Sequence, residues 1–125
     1  MKLLLDTQLY LWFLADSPRL KSATRQRIAD AELVLVSAAS IWEAAIKTGV
    51  GKLRVDIDEL ARKIESSGFA ELPVSALHAA KVASLPLHHR DPFDRLLVAQ
   101  ALEEPARLLT ADPVLRPYSE LVEVV

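Results

Sequence analysis

In the segment His88-His89-Arg90-Asp91-Pro92-Phe93-Asp94-Arg95, two carboxylates stand three positions apart at the head of a strongly apolar run. On a helix that spacing separates them by about 60° around the axis, so Asp91 and Asp94 point the same way. A third acid, Glu43, shares a polar stripe with Ser40 and Lys47 at i, i+3 and i+7 on a helical pattern whose other positions are mostly apolar. Asp6 and Asp112 each follow a short apolar run. Carboxylates gathered in one place hold hard divalent cations, and a cation so held supports phosphoryl-transfer chemistry. Each acid also has a plainer local role. Asp91 before Pro92 and Asp112 before Pro113 have the grammar of helix N-caps, and Asp6-Thr7 can serve the same way. Asp94 sits where a first-turn charge favours the helix dipole, and Glu43 with Lys47 makes an i,i+4 pair worth about 0.2–0.5 kcal/mol.

The elements that must position these acids decide between the roles. Lys2 to Leu5, Leu33 to Val36, Phe69 to Leu72, Arg107 to Leu109 and Leu121 to Val124 are short apolar or β-branched runs and read as strands. Between them, helical patterns cover Thr7 to Ala15, Arg19 to Ala31, Ala38 to Thr48, Ile57 to Ser66, Ser75 to Ala83 and Pro92 to Glu103. Ser37, Asp56, Ser75 and Asp91 are placed as caps. Apolar strands without a polar alternate face imply burial on both sides, so the fold class is α/β: a central parallel sheet of about five strands flanked by helices, an α/β/α sandwich. Ser84 to Pro92 reads as a connecting loop, and residues 1–125 as one domain without repeats or linkers.

Composition narrows the chemistry. The 125 residues carry 15 Lys plus Arg against 17 Asp plus Glu, for a net charge of −2, and are 51% apolar. That supports a packed core and argues against gripping nucleic acid through bulk positive charge. With no cysteine, thiolate ligands and a cysteine nucleophile are excluded, and any metal is held by oxygen or imidazole. Asp6 interrupts the apolar N-terminus and Leu9 to Ala15 is short for a secretory or spanning segment, so the chain reads as cytoplasmic. Open α/β sheets bind ligands beyond the carboxyl ends of their strands. There Asp6, Asp112 and the Asp91/Asp94 pair would converge, with Glu43 reaching in from a neighbouring helix. The remedy for their repulsion is a hard cation, Mg2+ or Mn2+.

Four stretches, LLLDTQLYLW, VSAASIWEAAIKTGVGKL, LPLHHRDPFDRLLVAQA and LLTADPVLRPY, together resemble the PIN-domain ribonucleases of the VapC toxin type, over essentially the whole chain. The resemblance implies a parallel sheet flanked by helices and Mg2+- or Mn2+-dependent cleavage of RNA, often tRNA or rRNA. The family's first-strand Asp falls on Asp6, its helical Glu on Glu43, the acids of its DPFD segment on Asp91 and Asp94, and its late acid on Asp112, as peripheral ligand or cap. The resemblance also implies a cognate antitoxin as partner. One departure stands out: close relatives commonly carry His where this chain has Gln8, which cannot titrate.

The expected chemistry is hydrolysis of an RNA phosphodiester by water polarised on a divalent ion held by Asp6, Glu43, Asp91 and Asp94. Thr7 is a candidate to hydrogen-bond an acidic ligand, and Lys47 and Arg95 to border the acids, as phosphate contacts or as ion-pair partners. His88 and His89 read as loop residues, with an imidazole-assisted metal site as the alternative, and His78 as structural. Arg19, Lys21, Arg25, Arg27, Lys52 and Arg54 are available to guide RNA or form solvated surface. The helix Leu9 to Leu14 carries more apolar surface than one face requires, for core packing and for a homodimer contact or antitoxin groove. Two rivals remain. A phosphoacceptor receiver domain shares the size and an acidic pocket, but would want paired acids after the first strand and an acceptor after the third, where Pro73 stands. A non-catalytic RNA- or protein-binding module would keep the fold without turnover.

Overall fold

The computed structural model describes residues 1–125. Five strands, β1 (Lys2–Leu5), β2 (Leu33–Ser37), β3 (Ala70–Leu72), β4 (Arg107–Thr110) and β5 (Val122–Val124), form one sheet in the order β3-β2-β1-β4-β5. All four pairings are parallel, with Leu5 opposite both Val36 and Leu109. The chain winds outward from β1 through β2 to β3 on one side and through β4 to β5 on the other. The sheet's switch in direction therefore lies between β1 and β4, where such folds open a crevice at their carboxyl ends.

Helices α1 (Thr7–Leu14), α2 (Ser22–Asp30), α3 (Ala38–Gly49), α4 (Ile57–Ser66), α5 (Ala76–Lys81) and α6 (Pro92–Glu103) fill the connections. Strand alternation sends Leu3, Leu5, Val34, Val36 and Leu109 into one core with Tyr10, Ile28, Ala44, Leu60 and Ile64. Leu4, Leu35, Leu72, Leu108 and Val122 enter a second core with Leu97, Val98, Ala101 and Leu115. Both faces of the central strands are thus covered, which is why β1, β2 and β4 lack a polar alternate face, while the edge strands β3 and β5 carry Glu71 and Glu123 between apolar residues. No helix is long and apolar enough to cross a membrane.

Where boundaries differ from the sequence reading, local hydrogen bonds are the cause. The helix expected from Arg19 begins at Ser22, because the Ser17 Oγ accepts from Arg19 N (3.2 Å) and Leu20 N donates to Ser17 O (3.1 Å), closing a turn that competes with helix. The expected Ser75 to Ala83 helix uses Ser75 as its cap and tightens to a 3-10 turn over Val82–Ser84 before Pro86, whose ring disfavours helical geometry at Leu85. Phe69 precedes β3 rather than joining it. Gly68, at φ 84, ends α4 with Phe69 N donating to Ile64 O (3.0 Å) and Gly68 N to Glu65 O (2.9 Å), and this Schellman closure turns the Phe69 ring onto Tyr10 and Phe13. A further 3-10 segment, Pro113–Tyr118, follows β4; the Asp112-Pro113 cap was its only signal.

Candidate active site

A cleft of roughly 660 Å³ opens at the carboxyl ends of β1 and β4. Its walls include Asp6, Thr7, Gln8, Glu43, Lys47, Asp91, Asp94 and Asp112, together with Lys52, Trp12 and Leu53. Every carboxylate singled out by sequence therefore faces this one space.

Asp6 follows β1 directly, its amide donating to Leu109 O (3.0 Å) across the switch point. Its carboxylate is buried and divided in its duties. Oδ1 accepts from Leu9 N at 2.7 Å and so caps α1, while Oδ2 accepts from the Thr110 hydroxyl at 2.6 Å and from Ala111 N at 3.4 Å. Burial pushes this carboxyl above the ordinary Asp range, opposed by the Thr110 and backbone bonds that favour its charged form. Capping and site geometry coexist here because a carboxylate has two oxygens and about four acceptor directions.

Glu43 sits on the first half of α3, buried at 5% exposure despite its charge. Thr7 Oγ1 lies 2.8 Å from both Glu43 Oε1 and Ser40 Oγ, donating its one proton to the carboxylate and accepting from the serine. Lys47 Nζ reaches Glu43 Oε2 at 2.6 Å, and that bond, helped by the charges of Glu43, Asp91 and Asp94, holds the Lys47 ammonium above its usual range against partial burial. The i,i+4 pair expected from sequence is formed, but on the wall of the cleft rather than on a fully solvated stripe.

Asp91 and Asp94 stand at the head of α6. Asp91 Oδ1 caps the helix, accepting from Phe93 N (2.8 Å) and Asp94 N (3.3 Å), and its second oxygen is left to the cleft. The Asp94 carboxyl is pushed up to about 6, first by burial and then by the charges of Asp91, Asp6 and Glu43; its bond to His89 opposes the shift. The chain's own cations thus leave anionic charge uncancelled. A predominantly carboxylate donor set with spare oxygens and excess negative charge suits a hard divalent ion, so the residues present fit such an ion. Asp112 caps the 3-10 segment through Oδ1, accepting from Val114 N (3.0 Å), and turns Oδ2 toward the cleft.

One residue departs from the sequence reading, and a second follows its alternative. Arg95, expected beside the acids, turns away from them. Its guanidinium donates to the Pro86 carbonyl (2.9 Å), the Val82 carbonyl (3.3 Å), the Leu85 carbonyl (3.5 Å) and the Tyr118 hydroxyl (3.1 Å), tying the 82–86 segment to α6. Three carbonyls in one loop, each with acceptor capacity for the guanidinium, outcompete a distant carboxylate for its five donors. His89 lies in a loop, as read, and in line with the alternative of an imidazole beside the acids it places Nε2 3.1 Å from Asp94 Oδ2 and 3.5 Å from Asp112 Oδ2. Position next to the acidic pair was the available signal, but the approach of Asp112 depends on β4. Lys52 and Trp12 at the cleft wall carried no local signal of that placement. His78 is structural as read, its Nδ1 accepting from Ser75 N (3.0 Å) in a capping box.

Parallel order, a switch point between β1 and β4, and an acidic cleft at their carboxyl ends define an open α/β domain with a carboxylate-lined site, and the PIN domain family model matches residues 3–121. The chain belongs to the PIN-domain family. Its sequence is 32% identical over 121 residues to Ribonuclease VapC22 of Mycobacterium tuberculosis, covering 92% of this chain and 90% of that protein. Two solved structures share the fold. VapBC2 from Rickettsia felis, bound to a DNA fragment from its promoter, superposes with a TM-score of 0.72 at 18% identity, over 99% of this chain and 98% of that one. FitAB bound to an IR36 DNA fragment superposes with a TM-score of 0.59 at 21% identity, over 88% of this chain and 85% of that one.

Proposed function

We propose that this chain is the endoribonuclease toxin of a toxin–antitoxin pair, cleaving RNA of the tRNA or rRNA class with Mg2+ or Mn2+ at the acidic cleft. The observation that carries this reading is the meeting of Asp6, Glu43, Asp91, Asp94 and Asp112 on one cleft of a PIN-domain chain. The name of its VapC22 relative, a ribonuclease, supports the same activity.

Asp6, Glu43, Asp91 and Asp94 would hold the ion, with Asp112 at the margin. When bound, such an ion lowers the pKa of a coordinated water and offsets charge developing on the phosphate. The protein's part is alignment. Thr110 and the α1 amide fix Asp6, Thr7 and Lys47 fix Glu43, and the α6 N-terminus fixes Asp91. Lys47 and Lys52 supply positive charge for a phosphate at the cleft wall, and Gln8 supplies a neutral hydrogen-bonding group there. Because Gln8 does not titrate, proton transfer is assigned to water and the carboxylates rather than to this position.

The partner reading has surface to rest on. Leu9 and Tyr10 are buried, but Leu11 and Leu14 line a shallow groove with Val55 and Leu60 between α1 and α4, suited to an amphipathic antitoxin segment. Trp42 and Ile46 on α3 and Val50 at its C-cap form an exposed apolar stripe, available to a second copy in a homodimer. A cytoplasmic location accompanies this function.

Purified wild type and Asp6→Asn incubated with total RNA in Mg2+, Mn2+ or EDTA, followed by mapping of new ends, tests the activity. Discrete fragments that vanish with EDTA and with the substitution are expected. Identical fragments from the variant would defeat the reading, and no cleavage under any condition would favour a non-catalytic binding module. Co-expression with the neighbouring small open reading frame should suppress toxicity by forming a complex.

A further inference from the structure

The margin of the cleft next to β4 holds a nitrogen donor whose environment goes beyond that of a loop histidine. His89 Nε2 lies 3.1 Å from Asp94 Oδ2 and 3.5 Å from Asp112 Oδ2, and the three donor atoms all fall within 4.8 Å of one another. Adjacent ligands around one small divalent ion, each about 2.1 Å from it, stand about 3 Å apart. These two distances are therefore close to those of neighbouring corners in one coordination sphere.

The ring is also held in place from behind. His89 N donates to the Tyr118 hydroxyl at 2.9 Å, and Tyr118 in turn donates to His89 O at 3.4 Å. Arg95 fixes Tyr118 through a 3.1 Å bond. Backbone clamped on both sides makes the imidazole a positioned donor, and Nδ1 is free to keep the proton when Nε2 binds an ion. The second nearby imidazole does not compete, because the His88 ring packs edge-on against Tyr118 at 4.9 Å.

We infer that His89 is a nitrogen ligand which, with Asp94 and Asp112, makes this margin of the cleft a site for a first-row transition-metal ion in preference to Mg2+. Imidazole binds such ions better than it binds Mg2+, which prefers an all-oxygen shell. The inference rests on the metal-dependent reading above and adds to it the identity of one ligand and the class of ion.

Mn2+ is the probe, bound stoichiometrically to the full chain and read by electron spin echo envelope modulation, which detects a directly bonded imidazole nitrogen and is silent for carboxylates. Wild type should show 14N modulation that changes on 15N-histidine labelling, persists in His88→Gln and disappears in His89→Gln. Titration should show Mn2+ affinity falling about 10-fold or more in His89→Gln, while Mg2+ affinity stays within about 3-fold. The labelling arm needs no substitution, so a misfolded variant does not rescue or sink the idea. Bound Mn2+ without nitrogen modulation, or equal losses for both ions, overturns the role of His89 and leaves the carboxylate reading standing. Absence of any bound Mn2+ in wild type overturns both.

Discussion

Removing a carboxylate from a cluster that lacks its counter-ion should stabilise the protein, and Asp94→Asn is the sharpest case. The Asp94 carboxyl is raised from 3.8 to about 6, chiefly by burial and by the neighbouring charges of Asp91, Asp6 and Glu43. A folded-state value above the unfolded one means that at neutral pH the ionised group opposes folding. At about 1.4 kcal/mol per pKa unit the opposition is up to about 3 kcal/mol. Asparagine removes it and loses the bond to the His89 ring, worth about 1 kcal/mol, for a net gain on the order of 2 kcal/mol in EDTA at pH 7. For a chain of this size that raises Tm by roughly 8 °C. The advantage should shrink as pH falls through 6 toward 4, where wild-type Asp94 takes up its proton. Mn2+ at about 100 times its Kd should reverse the order, since it stabilises wild type by about 2.7 kcal/mol and the variant by less. Scanning calorimetry with and without Mn2+ reads all of this. A variant less stable than wild type in EDTA, or equally stabilised by Mn2+, would refute the charge-crowding argument.

Other consequences follow from the same geometry. Burial pushes the Tyr10 phenol up to about 12, and its hydroxyl donates to Leu60 O at 2.7 Å. The unfolded chain therefore ionises first, so stability should fall as pH rises above about 10, by about 1 kcal/mol at pH 11. Tyr10→Phe should cost about 1 kcal/mol at pH 8 and lack that alkaline loss in urea titrations. Gly68→Ala meets no atom within 4 Å of the added Cβ, yet forces alanine to φ 84, and should lower stability by about 1–2 kcal/mol in thermal melts. Arg95→Gln should cost about 1–3 kcal/mol and speed proteolysis near residues 82–86, with the salt dependence of RNA binding unchanged; a reduced salt slope would restore Arg95 to the phosphate contacts.

How the acids came to be legible differs from one to the next. Asp91 and Asp94 declare their shared direction through helical spacing, and Glu43 stands out because, outside its stripe with Ser40 and Lys47, its helix is mostly apolar. Strand and helix types followed from apolar runs and caps, with boundaries shifted where a side chain, proline or glycine bent the local backbone, as at Ser17, Pro86 and Gly68, and with the 3-10 segment after β4 missed. Arg95 was misplaced because its choice between a carboxylate and three carbonyls depends on how the 82–86 loop folds back on α6.

By itself, the sequence determined which residues are apolar, which carry charge and where each carboxylate sits relative to its own element, because period, capping and side-chain chemistry are local properties; on α3 it did not determine burial, since Ser40 and Glu43 are buried and Trp42 and Ile46 exposed. Only the tertiary structure decided that β1 and β4 are neighbours. That adjacency brings Asp6 and Thr110, 104 positions apart in the chain, into contact, and the end of β4 carries Asp112 to 3.5 Å from His89. The physical reason is the parallel winding: it reverses between those two strands and leaves their carboxyl ends uncovered, so carboxylates that cap separate helices turn their remaining oxygens into one cleft.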